Sequence, residues 1–104
     1  MRTALVCDVE GAERDLLDPV RAPGLVHADI LVEVHEGMAP GLLELLEERF
    51  APTHRIRRIG RVLDPSALPA WMERASDLDR LLALWEWRAF PTPWLWMTAS
   101  RPPA

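Results

Sequence analysis

Two short patterns of ionisable residues each follow an apolar run in this chain. The first is Asp8-Val9-Glu10, and the second is Glu33-Val34-His35. Because side chains alternate along a β-strand, the first and third residues of each pattern point to the same side. Ligands of open α/β sheets bind at the carboxyl ends of the strands. Two adjacent parallel strands would therefore gather one candidate catalytic site, made of Asp8, Glu10, Glu33 and His35.

Such a group of side chains can move protons. Crowded carboxylates raise one another's pKa, which suits one of them as a general base, and a histidine beside them can act as a base or as a metal ligand. Each residue also has a structural interpretation. Asp8 or Glu10 would cap a helix that begins near Gly11. Glu33 would be an ion-paired residue at a strand end, and His35 a surface histidine.

The elements that must position these residues alternate along the chain. Apolar runs predict strands, and apolar stripes at helical spacing predict helices. The predicted strands cover residues 3–9, 29–35, 55–62 and 94–100, and the predicted helices cover residues 12–17, 40–50 and 76–85. Ser76 and Asp79 resemble a capping box at the start of the last helix. Alternating strands and helices predict an α/β sheet that is parallel at least at its start.

The first predicted strand is the most apolar. A nearly continuous apolar run is typical of a strand buried on both faces, with neighbours on both sides. An exposed apolar edge would promote aggregation. We therefore expect an incomplete domain, either truncated or completed by a partner chain or a second copy that pairs with residues 3–9. The alternative is a small, complete four-stranded domain with this strand at a covered edge.

Composition argues against several function classes. The net charge of −4 over 104 residues, with scattered basic residues, argues against a nucleic-acid binder. The arginines at 55, 57, 58 and 61 are expected on a solvated strand or loop. All twelve basic residues are arginine, which excludes a phosphate-loop lysine and a Schiff-base lysine. The sequence has no signal peptide and no run that could span a membrane, so we expect a cytoplasmic protein that does not bind membranes.

Other notable side chains receive structural roles. Cys7 is the only cysteine, so it forms no intrachain disulfide, and its apolar surroundings predict a small buried hydrophobe. His27 and His54 fall in predicted loops and are expected at the surface. Trp94 and Trp96 share one face of the last predicted strand and are expected to cover the sheet.

The sequence also resembles a known family. Cys7-Asp8-Val9-Glu10-Gly11-Ala12-Glu13 resembles the D-x-E-G-A-E segment of FkbM-type methyltransferases, a branch of the Rossmann-like S-adenosylmethionine-dependent methyltransferases. Residues 28–35 resemble the next strand of that family, and residues 94–97 resemble its last, antiparallel strand. The resemblance covers nearly the whole chain. It implies that residues 1–104 form a single partial domain, the C-terminal half of the family's sheet.

The implied fold has three parallel strands, a final antiparallel strand and flanking helices. In the family's strand order, the final strand inserts between the fifth and sixth strands. The family holds its methyl donor mainly through a Gly-rich turn after the first strand and an acidic residue after the second. Neither feature is in this sequence, so the resemblance implies that the cofactor-binding half of the domain is absent from it. We therefore expect the isolated chain to be inactive and to bind the donor too weakly to measure.

The resemblance implies methyl transfer from S-adenosylmethionine to a hydroxyl group of a small molecule or a sugar. It places Asp8 and Glu10 at the methionine end of the cofactor or at the acceptor hydroxyl. Glu33 and His35 would face the acceptor. No metal ligand is assigned, because the Asp-Asn pair of the metal-dependent, catechol-type branch is missing.

Two other functions fit the same residues. Asp8-x-Glu10 after an apolar strand resembles the opening motif of two-metal exonucleases, which need further aspartates. Three later residues could take that role: Asp64, Asp77 and Asp79. The phosphatase motif D-x-D-G-T is a near match, with Glu10 in place of the second Asp and Ala12 in place of Thr. The second alternative is a non-catalytic α/β module that pairs with another chain to complete a sheet.

Overall fold

The computed structural model describes residues 2–84, 90 and 92–100. Within these residues, four strands form one sheet: β1 (Thr3–Cys7), β2 (Ala28–Glu33), β3 (His54–Ile59) and β4 (Trp94–Ala99). The α-helices are α1 (Glu13–Leu16), α2 (Leu42–Phe50) and α3 (Asp77–Leu84). Short 3-10 helices cover Pro23–His27, Pro65–Ala67 and Ala70–Arg74. The predicted α/β class is confirmed.

The strand order across the sheet is β1-β2-β4-β3. β1 and β2 are parallel, with Cys7 opposite Val32. β4 is antiparallel to both of its neighbours, β2 and β3. β1, β2 and β3 therefore run in one direction, and the strand that comes last in sequence lies between two strands that precede it. The predicted antiparallel direction of the last strand is confirmed.

One face of the sheet carries the hydrophobic core. Every fourth residue of α2 is fully buried, which places Leu42, Leu46 and Phe50 on one helical face. This face packs against the buried residues of the two central strands: Ile30, Val32, Leu95 and Met97. Burying each such side chain stabilises the fold by about 1.5–3 kcal/mol. The two central strands are therefore the most firmly fixed part of the sheet.

α1 is short, but it is held firmly at its C-terminal end. Leu17, which follows the helix, is 1% exposed and belongs to the core. The Arg49 guanidinium, on α2, donates hydrogen bonds to the carbonyl oxygens of Arg14 and Leu17. These bonds satisfy carbonyls that the end of a helix leaves without partners. α1 is thereby fastened to α2 next to the ends of β1 and β2.

β1 departs from the prediction. Thr3 and Ala4 are exposed, Val6 is 69% exposed, and only Cys7 is buried. The expectation that this strand is buried on both faces is wrong. β1 lies at the margin of the sheet, and no described residue covers its outer face. The covered edge that a small complete domain would need is likewise not found in residues 2–84, 90 and 92–100.

The segment after β3 contributes little to the core. No residue of α3 is buried, although the Ser76 hydroxyl accepts a hydrogen bond from the Asp79 backbone N–H at 3.1 Å, as the capping prediction requires. Trp94 and Trp96 are half-buried on the sheet face opposite the core. Trp85, predicted to belong to the apolar face of this helix, lies outside the described residues.

No helix in the described part of the chain has both the length and the apolar character that crossing a membrane requires.

Candidate functional site

The four predicted site residues lie together where β1 and β2 end. The Nε2 atom of His35 is 3.6 Å from Asp8 Oδ1, 3.6 Å from Glu10 Oε2 and 3.9 Å from Glu33 Oε1. The predicted meeting of the two strand ends is therefore confirmed. The catalytic role of these residues stays a prediction.

A tight turn after β1 positions the first pair of carboxylates. The Ala12 N–H donates to the Val9 carbonyl oxygen at 3.2 Å, and the two residues between them have positive φ angles. Glu10 has φ +52° and Gly11 has φ +99°. Two positive φ angles at the centre are typical of a type I′ turn. Glycine adopts this conformation without steric cost, whereas a residue with a Cβ loses about 1–2 kcal/mol in it.

The strained residue of this turn is one of the candidate site residues. Backbone strain at non-glycine residues clusters at functional sites, where the surrounding structure holds it in place.

α1 has no side-chain cap at its N-terminus. The alternative interpretation, in which Asp8 or Glu10 caps this helix, is therefore wrong.

His35 is buried and is held by a residue that sequence reasoning missed. It is 2% exposed, so its interpretation as a surface histidine is wrong. Its Nδ1 atom forms a short hydrogen bond with Glu13 Oε1, and Glu13 is 0% exposed. A signal for Glu13 existed in the sequence. It stands four residues before Leu17, so the two share one face of the predicted helix, and Leu17 is a core residue.

The backbone around His35 is fixed by its own hydrogen bonds. The His35 carbonyl oxygen accepts from the backbone N–H groups of Met38 and Ala39, at 3.0 and 3.1 Å. The carboxylate of Glu36 accepts from the N–H groups of Gly41 and Leu43, both at 2.7 Å, at the start of α2. The imidazole therefore projects from a segment tied to both β2 and α2.

The charges around His35 favour its protonated form. Burial is the largest single influence, and it lowers the pKa of His35. The hydrogen bond to Glu13 and the negative charges of Glu13, Glu10 and Glu33 act in the opposite direction and prevail, so the pKa of His35 lies above its ordinary value of 6.5.

Two polar atoms at the centre of the cluster have no hydrogen-bond partner within the described residues. They are His35 Nε2 and Glu13 Oε2, and both are buried. Beside them, Asp8 and Glu10 expose 49% and 71% of their side chains. One ligand atom from each of Asp8, Glu10 and His35 can be chosen so that all three lie within 4.8 Å of one another. The site therefore joins a buried base to two carboxylates that solvent can reach, which suits it to binding a proton or a cation.

Of the other predicted structural roles, some are confirmed and some are wrong. Cys7 is a buried free thiol, as predicted, and burial followed by the charges of Glu13 and Asp8 raises its pKa, which makes it a poor nucleophile. His54 was expected at the surface and is 5% exposed instead, with its Nε2 atom 2.7 Å from the Ala28 carbonyl oxygen. His27 is half-buried rather than exposed. The arginines of β3, at positions 55, 57 and 58, are exposed as predicted.

When the chain is compared with protein-family models, with curated proteins and with solved structures, no match is found in any of the three.

Proposed function

We propose that this chain provides the acceptor side of an S-adenosylmethionine-dependent methyltransferase domain that transfers a methyl group to a hydroxyl of a small molecule or a sugar. The chain supplies the carboxylate and histidine cluster, and a separate segment supplies the main contacts to the donor. The observation that carries the proposal is the strand order β1-β2-β4-β3, with β4 antiparallel.

This strand order is an unusual solution for four strands. Consecutive strands are neighbours in most sheets, yet here the strand that follows β3 separates β3 from β2. The resemblance of residues 7–13 and 28–35 to the methyltransferase family implies this insertion. The resemblance also extends to residues 94–97, which lie in β4, so the order was expected from the family's sheet.

The charge of the site complements the donor. S-adenosylmethionine carries positive charge on its sulfonium and on its α-amino group, and when bound it supplies an electrophilic methyl group. The exposed carboxylates of Asp8 and Glu10 can bind this cationic end of the molecule. The described residues provide no Gly-rich turn for the ribose and adenine, so those contacts belong to the separate segment.

The site residues differ in how far they are exposed to solvent, and this difference assigns each of them a role. Since Glu33 and His35 are 3% and 2% exposed, an acceptor hydroxyl reaches Asp8 or Glu10 first. One of these carboxylates accepts the hydroxyl proton. When His35 is neutral, its Nε2 atom, 3.6 Å away, takes up that proton after a small rotation of the exposed carboxylate or through one water molecule. Glu13 holds the imidazole from behind through Nδ1.

The exposed margin of the sheet supports the proposal that a separate segment supplies the main contacts to the donor. Among the described residues β1 pairs only with β2, and Val6 is open to solvent on its outer face. An unpaired strand edge is a template for a further strand. A neighbouring segment that pairs with β1 would place its own strand ends beside Asp8 and Glu10, which is where the donor must lie.

The test is donor binding, measured by calorimetry on the chain by itself and on the chain together with the polypeptide encoded immediately upstream. We expect no micromolar affinity for the chain by itself and measurable affinity for the pair. In the pair, Asp8→Asn and Glu10→Gln should each weaken binding about tenfold, the loss expected for one charge-assisted contact. The matched control is Glu48→Gln, an exposed carboxylate on α2. Micromolar binding by the chain by itself, or no binding by the pair, would overturn the proposal.

The two-metal exonuclease alternative receives less support. It needs aspartates from other elements next to Asp8 and Glu10. The group of described residues that could hold a metal ion contains His35 as its third member. None of the three later aspartates that this mechanism would use belongs to that group.

A further inference from the structure

We propose that Asp8, Glu10 and His35 form a binding site for a single divalent transition-metal ion. Glu13 is a positioning residue that orients the imidazole. This inference concerns binding alone, so it stands or falls separately from methyl transfer.

The first observation is the state of His35 Nε2. The side chain is 2% exposed, and Nε2 has no hydrogen-bond partner among the described residues. A buried polar atom without a partner destabilises a fold by about 1–3 kcal/mol. The atom faces the open carboxylates of Asp8 and Glu10, so an ion held between the three would satisfy it.

The second observation is the spacing of the ligand atoms. A zinc ion binds histidine nitrogen and carboxylate oxygen at about 2.0–2.2 Å, so two ligands in a tetrahedral arrangement stand about 3.4 Å apart. Nε2 lies 3.6 Å from an oxygen of Asp8 and 3.6 Å from an oxygen of Glu10. All three atoms lie within 4.8 Å of one another. Small rotations of two exposed carboxylates are therefore enough to close the site.

The third observation is the contact behind the imidazole. Histidine ligands of metals nearly always bond through their second nitrogen to a carboxylate or a carbonyl, which fixes the ring and its tautomer. His35 makes such a bond from Nδ1 to Glu13, which is fully buried. With the proton on Nδ1, the lone pair of Nε2 points toward Asp8 and Glu10.

The donor set also indicates which ion would bind. One imidazole nitrogen and two carboxylate oxygens favour Zn²⁺ or Mn²⁺ over Ca²⁺, which prefers oxygen ligands only. Three protein ligands leave at least one coordination position free, as in catalytic rather than structural sites. Because Asp8 and Glu10 are open to solvent, a water molecule or a substrate oxygen can occupy that position.

The experiment titrates the metal-free full chain with ZnCl₂ and with MnCl₂ and follows binding by calorimetry. We expect a dissociation constant below about 100 μM for one of the two ions, which is at least about tenfold tighter than a millimolar surface contact. Asp8→Asn and Glu10→Gln should each weaken it at least about tenfold, as should Glu13→Gln, because a neutral amide behind the imidazole makes Nε2 a less basic ligand than a carboxylate does. The control is the double variant Glu44→Gln/Glu48→Gln. It removes two carboxylates from an acidic surface of α2 whose pocket has no histidine in its lining, and it should leave affinity unchanged.

A second readout leaves the buried histidine in place, so that its result does not depend on how the fold tolerates a substitution there. In the ¹H–¹³C NMR spectrum, substoichiometric Mn²⁺ should broaden the ring signals of His35 far more than those of His54. Paramagnetic broadening falls steeply with distance from the ion, and the His54 ring contacts Ala28 at the start of β2, whereas His35 follows the end of that strand. Affinity of about 1 mM or weaker for both ions would overturn the proposal. Affinity insensitive to both Asp8→Asn and Glu10→Gln, or equal broadening of the two histidines, would overturn it as well.

Discussion

Replacing Glu13 by Gln tests the electrostatic account of the site through the pH dependence of stability. Gln keeps the shape of the side chain and an oxygen that can accept a hydrogen bond, but it removes the negative charge. The pKa of His35 lies above its ordinary value because of its carboxylate neighbours, Glu13 foremost among them. A raised folded-state pKa adds stability that is fully present below the unfolded pKa and is lost as the pH rises through the folded pKa.

The magnitude follows from the bond that is altered. A hydrogen bond to a charged group contributes about 1.5–3 kcal/mol, whereas one between neutral groups contributes about 0.5–1.5 kcal/mol. At about pH 5.5, below the ordinary histidine pKa, the wild-type pair is an imidazolium and a carboxylate, and the variant should lose about 2 kcal/mol. Once the pH exceeds the folded pKa, the imidazole is neutral and its Nδ1–H can donate to the Gln oxygen. In the wild type the same N–H donates to a carboxylate, but the attraction between two opposite charges is gone, so the loss should then be smaller than at about pH 5.5.

The assay is urea unfolding followed by tryptophan fluorescence, for the wild type and the variant, at several pH values from about 5 to about 9. The control is Asp15→Asn, which removes an exposed carboxylate from the same helix and should show no such trend. A loss that is constant across this range, or that grows with rising pH, would refute the account of how His35 is charged.

Three further outcomes follow from the structure. Glu10→Gly should raise the free energy of unfolding by about 1 kcal/mol, because glycine adopts the positive φ of this turn without strain. The same variant should weaken metal binding. Urea unfolding checks the first effect and calorimetry the second, and a destabilised variant would contradict the assigned turn. Phe50→Ala should destabilise the fold by about 3–5 kcal/mol, because Phe50 is fully buried and packs edge-on against the His54 ring at a centroid distance of 5.1 Å; a loss below about 1 kcal/mol would show that α2 does not pack as described. Val6→Lys should change stability by less than about 0.5 kcal/mol, because the side chain is largely exposed, while it weakens self-association or pairing along β1 in sedimentation experiments; a large loss of stability would show that another element covers this face.

The order of elements and the meeting of the strand ends could be predicted from the sequence. Two apolar runs that end in acidic patterns are enough to place Asp8 and His35 at one edge, because the two-residue period of a strand fixes the side on which each side chain lies. The direction of the last strand could be predicted only through the resemblance, since periodicity does not report strand order. The apolar character of β1 also led to a wrong prediction, that this strand is buried on both faces. An apolar run indicates a preference for burial, but the actual burial depends on which neighbouring elements are present.

The inner part of the site was harder to foresee. Glu13 belongs to a short helix of charged appearance, and its burial follows from the way Leu17 and Arg49 anchor that helix to α2. His54 was assigned to a loop because β3 begins one residue earlier than the predicted strand, and this single position carries it into the interior. Both errors concern polar residues whose burial is compensated by specific hydrogen-bond partners, which local sequence does not identify.

The position of β4 between β2 and β3 bears on biosynthesis. While residues 94–99 are still inside the ribosome, β1 and β2 can pair, but β3 has no strand to join and α2 lacks the Leu95 and Met97 side chains that complete its packing. The sheet therefore closes after translation of this segment, through contacts between residues far apart in sequence, which slows folding. A protease cut within residues 60–84 would leave two pieces that, among the described residues, are held together mainly by the hydrogen bonds and packing of β4.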